Sequence, residues 1–210
     1  MYISKGNPVI EFLMKEENLP NVLEIIRHGE EIREMLARQF WEGLESEIKT
    51  SRPRDLTYKF LWDEAWKKET KPNVCFRLSA RLTSVGEKTQ GLEYAIEAYP
   101  TYYGIGLRRI DKNTNVEKLS TISFAVTLRD ELLKTRQGMI ESEPQEWWLW
   151  FENWDKDPYD DPWIWFAKKS ASASSFIEAA EKFWNFVRAT YPLVLQINEA
   201  ANNPNKTGKV

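Results

Sequence analysis

Val74-Cys75-Phe76-Arg77-Leu78-Ser79-Ala80-Arg81-Leu82-Thr83 decides the fold class, because its side chains repeat with a period of two. Val74, Phe76, Leu78, Ala80 and Leu82 share one face, and Cys75, Arg77, Ser79, Arg81 and Thr83 share the other. Successive side chains of a pleated strand point to opposite faces, so the run reads as a strand with one face on a core. After a turn around Gly86 to Gly91 the pattern returns, with Leu92, Tyr94, Ile96 and Ala98 opposed by Glu93, Ala95 and Glu97. Joined as a hairpin, the two strands put Arg77 and Arg81 on the face of Glu93 and Glu97. Cross-strand pairing then neutralises most of that basic face.

The same period extends outward on both sides. Upstream, Leu56, Tyr58, Phe60 and Trp62 alternate with Thr57, Lys59, Leu61 and Asp63, which predicts another strand. Downstream, Tyr102 to Ile110 predicts a fourth, with Gly104 and Gly106 on one face. Two glycines there mark a bulge or something large crossing the sheet. Trp147–Trp154 and Trp163–Phe166 are short aromatic segments expected to be extended.

Helical patterns flank these runs. Asn7-Pro8 reads as a cap with proline at the first helical position, where its missing N–H costs nothing. A short helix through Val9, Phe12 and Leu13 follows. A second, through Val22, Ile25 and Ile26, is expected to stop at a left-handed Gly29. In the third, Glu30 and Glu31 suit the positive N-terminal end, and Ile32, Leu36, Phe40, Leu44 and Ile48 recur every four residues, widened by Met35. That stripe must pack on something. After the sheet, Thr127-Leu128-Arg129-Asp130 has capping-box spacing ahead of Leu132 and Leu133, and Gly138 closes that helix. Ser175-Phe176-Ile177-Glu178 opens a last amphipathic helix through Phe183, Phe186 and Val187 towards Ile197, with a kink or break near Tyr191 caused by Pro192.

Helices, then strands, then helices argue for an α+β fold in which a meander of four to six antiparallel strands carries a C-terminal amphipathic helix. The expected division is a helical segment over 1–50, an α+β domain over 51–201 and a flexible tail over 202–210. A doubly wound sheet would need strands and helices in alternation.

Composition narrows the function classes. The chain has 210 residues, ten tryptophans, one cysteine, one histidine and a net charge of -3. No stretch approaches the roughly 18 apolar residues of a membrane span. The absence of an apolar run after Met1, together with a lone Cys75, is read as a reducing, cytoplasmic setting. Residues 1–48 carry five basic and ten acidic groups, 49–140 seventeen and eleven, 141–161 one and eight, and 162–210 six and three. A basic middle beside an acidic loop fits either solvated faces or a nucleic-acid surface next to a cation site.

The candidate chemistry is sparse. His28 stands at the end of a helix with no nucleophile near it in sequence, and Cys75 has no histidine partner, so no catalytic residue is assigned. Gly104-Ile105-Gly106 lacks the third glycine of a phosphate loop. Asp155, Asp157, Asp160 and Asp161 offer the hard oxygen ligands that magnesium or calcium takes, without the glycine and terminal glutamate of an EF-hand. Lys59, Arg77, Arg81, Arg108 and Arg109 are the candidate basic sheet face for nucleic acid, whose phosphate contacts would weaken with salt. Trp147, Trp148, Trp150 and Trp154 are the candidate partner surface, since exposed tryptophan makes good hot spots.

Tyr102-Tyr103-Gly104-Ile105, Glu146-Trp147-Trp148-Leu149-Trp150-Phe151 with Asn153-Trp154-Asp155, and the C-terminal amphipathic helix resemble the C-terminal half of PD-(D/E)XK nuclease superfamily proteins of bacteria and their phages. Phe40-Trp41-Glu42-Gly43-Leu44 and Tyr58 to Trp66 fit the same arrangement. The family's chemistry needs an Asp on one strand and Glu/Asp-x-Lys on the next, so that carboxylates hold a metal. Here the nearest spacing is Glu47-Ile48-Lys49, at the end of a helix. The resemblance therefore implies the accessory half without the nuclease core. The expected function is a non-catalytic recognition module that binds a protein partner or itself, in conflict between phages and bacteria. Nucleic-acid binding and a divergent metal-dependent nuclease are the alternatives.

Overall fold

The structure, a computed structural model, describes residues 8–57, 59–68, 76–82, 91–99, 102–110, 123–135, 148–155 and 169–202. Three helices come first, α1 (Pro8–Leu13), α2 (Leu19–Arg27) and α3 (Gly29–Thr50). Strand β1 (Phe60–Asp63), a 3-10 turn at Ala65–Lys68, and strands β2 (Phe76–Leu82), β3 (Leu92–Tyr99) and β4 (Tyr102–Arg109) follow. Helix α4 (Ser123–Thr135), strand β5 (Trp148–Asp155) and helix α5 (Ala173–Asn202) complete the order. The five strands pair in chain order, β1-β2-β3-β4-β5, all antiparallel. This is the expected α+β meander. Cys75, residues 83–90, Gly138, Trp163–Phe166 and the tail expected beyond Asn202 lie outside the described residues.

The register places the apolar runs as their period requires. Leu78 opposes Ile96 and Ala80 opposes Tyr94, and Ile96 and Tyr94 in turn oppose Ile105 and Leu107 on β4. These side chains are fully buried, and α3 and α5 pack over them. Phe40 of α3 is a hub, with its ring edge-on to Trp41 and Tyr103 and 5.7 Å from Phe176 of α5. Gly43 permits that approach, because a Cβ there would strike the Phe176 ring. Trp184 of α5 packs on Phe60, Trp62 and Phe183, and its Nε1 donates to the Ile48 carbonyl at 2.9 Å. One of the carbonyls left without a donor at the C-terminal end of α3 is thereby satisfied.

Two polar contacts lock α5 to the sheet. The Leu92 N–H donates to Asn198 Oδ1 at 2.7 Å, and Asn198 Nδ2 returns a bond to the Leu92 carbonyl at 3.0 Å. The side chain approaches so closely that Gly91, at φ +126°, has no room for a Cβ. Thr190 donates to the Phe186 carbonyl at 2.7 Å, which leaves its oxygen to accept from the Tyr94 hydroxyl at 3.1 Å. Burial holds the Tyr94 phenol well above its ordinary pKa, so it remains a donor.

Several sequence expectations change. β1 starts at Phe60, not at Leu56, although Leu56 is buried ahead of it. Gly29 is not left-handed; it opens α3, and only His28 separates α3 from α2. Thr127 lies inside α4, which begins at Ser123. α5 runs through Pro192 without a break. Pro192 is on the exposed side, where water can meet the carbonyl that loses its donor. The α3 stripe is buried only from Leu36 onward, at Ala37, Phe40, Trp41, Leu44 and Ile48. The core boundary thus falls inside α3, and its second half belongs with the sheet.

Candidate interaction surfaces

The first candidate is the sheet face turned away from α3 and α5. Alternation puts Arg77, Ser79 and Arg81 of β2, Glu93, Ala95 and Glu97 of β3, and Gly104, Gly106 and Arg108 of β4 on it. The two carboxylates are almost completely buried, Glu93 at 1% and Glu97 at 3% exposure. Buried carboxylates need partners, and the arginines supply them. Glu93 takes Arg81 Nε at 2.9 Å and Arg108 Nη1 at 3.2 Å, while Glu97 faces Arg108 Nε at 3.4 Å and Arg77 Nη1 at 4.0 Å. Arg77 also reaches Asp63 of β1 at 3.5 Å. Three guanidinium groups are therefore matched by three carboxylates.

The five cations expected on one basic face do not share one. Arg108 and Arg109 are neighbours on a strand and point to opposite faces; Arg109 opposes Leu92 on the core side and is 4% exposed. Lys59 is exposed just ahead of β1, outside the strand. The face is a layer of compensated charge in which the carboxylates are buried and the arginines partly exposed, so its described residues leave little net positive charge to meet phosphates.

The tryptophans divide in the same way. Register shifts on the β4–β5 ladder between Tyr103 and Gly104, and between Leu107 and Arg108, re-aim the side chains of β5. Trp150 opposes Leu107 on the core side and is buried, so it presents no surface. Trp154 is half-buried, edge-on to Tyr103 at 5.2 Å and with Lys182 Nζ 5.8 Å from its ring centre. Trp148 lies across the second shift on the charged face, 5.0 Å from Phe151. Its ring and Phe151 occupy the spaces that Cβ atoms on Gly106 and Gly104 would need. The glycine pair therefore marks both a bulge and crossing aromatics. Trp147 lies outside the described residues.

A second cluster binds the turn after β1 to α3. Glu45, only 9% exposed, accepts from Lys49 Nζ and from Trp66 Nε1 at 3.2 Å, and Lys67 lies 3.4 Å away. Glu64 accepts from Lys49 at 2.6 Å and from Lys67. Those lysines, Lys49 first, hold the Glu64 carboxyl down at about 2. Both carboxylates are thus engaged by ammonium groups where a metal would otherwise need open oxygens. Lys49, the lysine of the Glu47-Ile48-Lys49 spacing, is one of them. The acidic run Asp155, Asp157, Asp160 and Asp161 is placed only as far as the backbone of Asp155, which ends β5; the other three lie outside the described residues. No group of three metal-binding side chains occurs among the described residues.

The third surface is apolar. Of ten large hydrophobic side chains that stand exposed among the described residues, seven fall between Phe12 and Met35. Helix α2 has no buried residue, although Leu19, Val22, Leu23 and Ile26 share one of its faces; Leu23, Ile25 and Ile26 are exposed. Ile26 is 70% exposed and Met35, nearly two turns into α3, is 69% exposed. Between them sits His28, whose Nδ1 meets Glu31 at 2.7 Å and whose Nε2 meets Glu24 at 2.9 Å. The hydrogen bond that the protonated ring donates to Glu31, then that to Glu24, raises its pKa above the ordinary imidazole value. The α3 stripe, which must pack on something, meets the core only over its second half, and Ile32 at its start is exposed. The sequence carries the apolar surplus of α2 as Val22, Leu23, Ile25 and Ile26 on a nine-residue helix.

No helix among the described residues is long and apolar enough to cross a membrane. Compared with protein-family models, with curated proteins and with solved structures, the chain matches none.

Proposed function

We propose that this chain is a non-catalytic protein-recognition module whose docking surface is the exposed apolar face of α2 and the first turns of α3. The observation that carries the reading is the concentration of exposed aliphatic side chains on those helices. Large apolar side chains left exposed on neighbouring helices are characteristic of interaction sites. The charged sheet face favours this reading over nucleic-acid binding, because its arginines are already committed to Asp63, Glu93 and Glu97. The resemblance of the Trp148–Asp155 region and α5 to the accessory half of PD-(D/E)XK proteins fits a recognition role, with conflict between phages and bacteria as the proposed setting and a cytoplasmic location.

Site-specific crosslinking tests it. A photoreactive phenylalanine analogue at Ile26 or Met35 is expected to trap one discrete polypeptide in expressing cells, and the same analogue at exposed Lys134 on α4 is expected to trap none. Equal, diffuse crosslinking from all three positions would remove the docking surface. Incubation with DNA and RNA in magnesium or manganese is expected to leave both intact; cleavage lost on Glu45→Ala would overturn the non-catalytic assignment.

A further inference from the structure

Only His28 separates α2 from α3, and its backbone, at φ -100° and ψ 14°, lies off the helical values of its neighbours. Its side chain spans the same break. Nδ1 meets Glu31 of α3 at 2.7 Å, and Nε2 meets Glu24 of α2 at 2.9 Å. Ionised carboxylates only accept hydrogen bonds, so both contacts are hydrogen bonds only when both ring nitrogens carry a proton. A neutral imidazole has one N–H, and its other nitrogen then turns a lone pair towards a carboxylate. The bridge across the break is complete in the imidazolium alone. Arg27 and Glu30 flank the ring in sequence, are exposed and are not hydrogen-bonded to it, and no charged group of another element pairs with it among the described residues.

Exposed ion pairs are ordinarily overridden by burial. Helix α2 lacks that competitor. It has nine residues where an isolated helix needs roughly 12–15, and it buries none of them, keeping Leu19 and Val22 only half-buried. Its N-cap residue Asn18 makes no capping bond; the side chain donates instead to the Phe12 carbonyl at 2.7 Å. We propose that His28 is a proton-operated joint: the imidazolium, bonded to both helices, holds α2 helical against α3, and loss of its proton releases α2. The two pairs have helix spacings of four and three residues, so breaking the bridge changes the ratio of held to released α2 by about two- to fivefold. The held form is favoured below the ordinary imidazole value of 6.5 and gives way as pH rises through the higher value of the folded chain. The joint governs how α2 presents Leu23 and Ile26, and it stands whether or not a partner docks there.

Backbone Cα chemical shifts of Leu19–Arg27 in the full chain test the joint, followed from about pH 5.5, where glutamates remain ionised, to about pH 9. They are expected to move from helical towards random-coil values with the same midpoint as the His28 ring carbons, while those of residues 37–48 in α3 stay fixed. The ratio of held to released α2 should change at least about twofold. His28→Gln is expected to abolish the response and leave α2 near its high-pH state. A chain carrying both Glu24→Gln and Glu31→Gln should still titrate its ring and leave the α2 shifts unmoved. None of the three positions belongs to the core, so unchanged shifts in β3 and in residues 37–48 are expected to report that each variant is folded. Titration of the ring in the parental chain without movement of α2 would overturn the joint. The same movement in His28→Gln would give the response to another group, and in the double variant it would show that the ring acts without the bridge; either result overturns the joint as well.

Discussion

Ser79 sits in the middle of β2 with its hydroxyl buried and, among the described residues, without a hydrogen-bond partner, opposite Ala95. A buried hydroxyl that makes no bond keeps its desolvation cost and returns nothing. Ser79→Ala is therefore expected to leave stability unchanged or raise it by about 1 kcal/mol, measured by urea unfolding; a loss of that size would mean that the hydroxyl is bonded. His28 gives a prediction of the opposite kind. Its pKa is raised in the folded chain, by Glu31 first and Glu24 second. The protonated ring thus contributes stability that is fully present below the unfolded value near 6.5 and is lost as pH rises through the folded value. An NMR titration should place the His28 midpoint above 6.5, Glu31→Gln should lower it, and amide exchange over residues 24–31 should quicken as the ring deprotonates. At this scale the pairing of Arg81 with Glu93 was legible, because it follows from two period-two runs joined as a hairpin. The grouping of Arg109 with Arg108 was not sound, since adjacent strand residues cannot share a face.

The period of the long runs fixed the type of β1 to β4, α3 and α5, and what it could not supply was the extent over which a helix is covered. α3 keeps an apolar residue every fourth position from Ile32 to Ile48, yet only the part that reaches the sheet is buried. Periodicity records which face is apolar, and a partner outside the chain leaves the same mark as a core. The long α5 shows the converse. A proline that predicts a break is tolerated because Val187, Val194 and Ile197 anchor the helix on both sides of it. The glycines test how far elements press on one another. A Cβ at Gly106 would collide with the Trp150 carbonyl and the Trp148 ring, whereas at Gly29 it would meet nothing within 4 Å. Gly106→Ala is expected to cost about 2 kcal/mol or more, as overpacking against backbone does. Gly29→Ala, in helical backbone, should be neutral or slightly stabilising. Thermal unfolding of the two variants reads both signs in one experiment.

In the whole molecule, near and distant contacts divide between the sheet and the helices. Every strand pairing joins neighbours in strand order, so β1 to β4 assemble at small entropic cost, and only β5 returns to the sheet across the longer connection that holds α4. The helices that cover it come from far apart. Trp184 and Ile48 are 136 residues apart in sequence, and Asn198 reaches Leu92 across 106. The neutral pairing across the sheet also predicts how the folded chain meets nucleic acid: a gel shift at low and moderate salt should show no retained band, and binding that falls steeply with salt would restore phosphate contacts to the argument. The Trp184–Ile48 bond has a temporal consequence during synthesis on the ribosome. Phe40, Trp41 and Leu44 emerge early, but the surface that dries them is translated more than a hundred residues later. At roughly 5–20 residues per second the nascent chain would carry that aromatic stripe uncovered for several seconds. An arrest-peptide force profile should accordingly show its main folding peak only once α5 has cleared the exit tunnel, and trigger factor or an equivalent chaperone should crosslink to residues 40–48 until that moment. A force peak before α5 emerges would show that the sheet and α3 close without it.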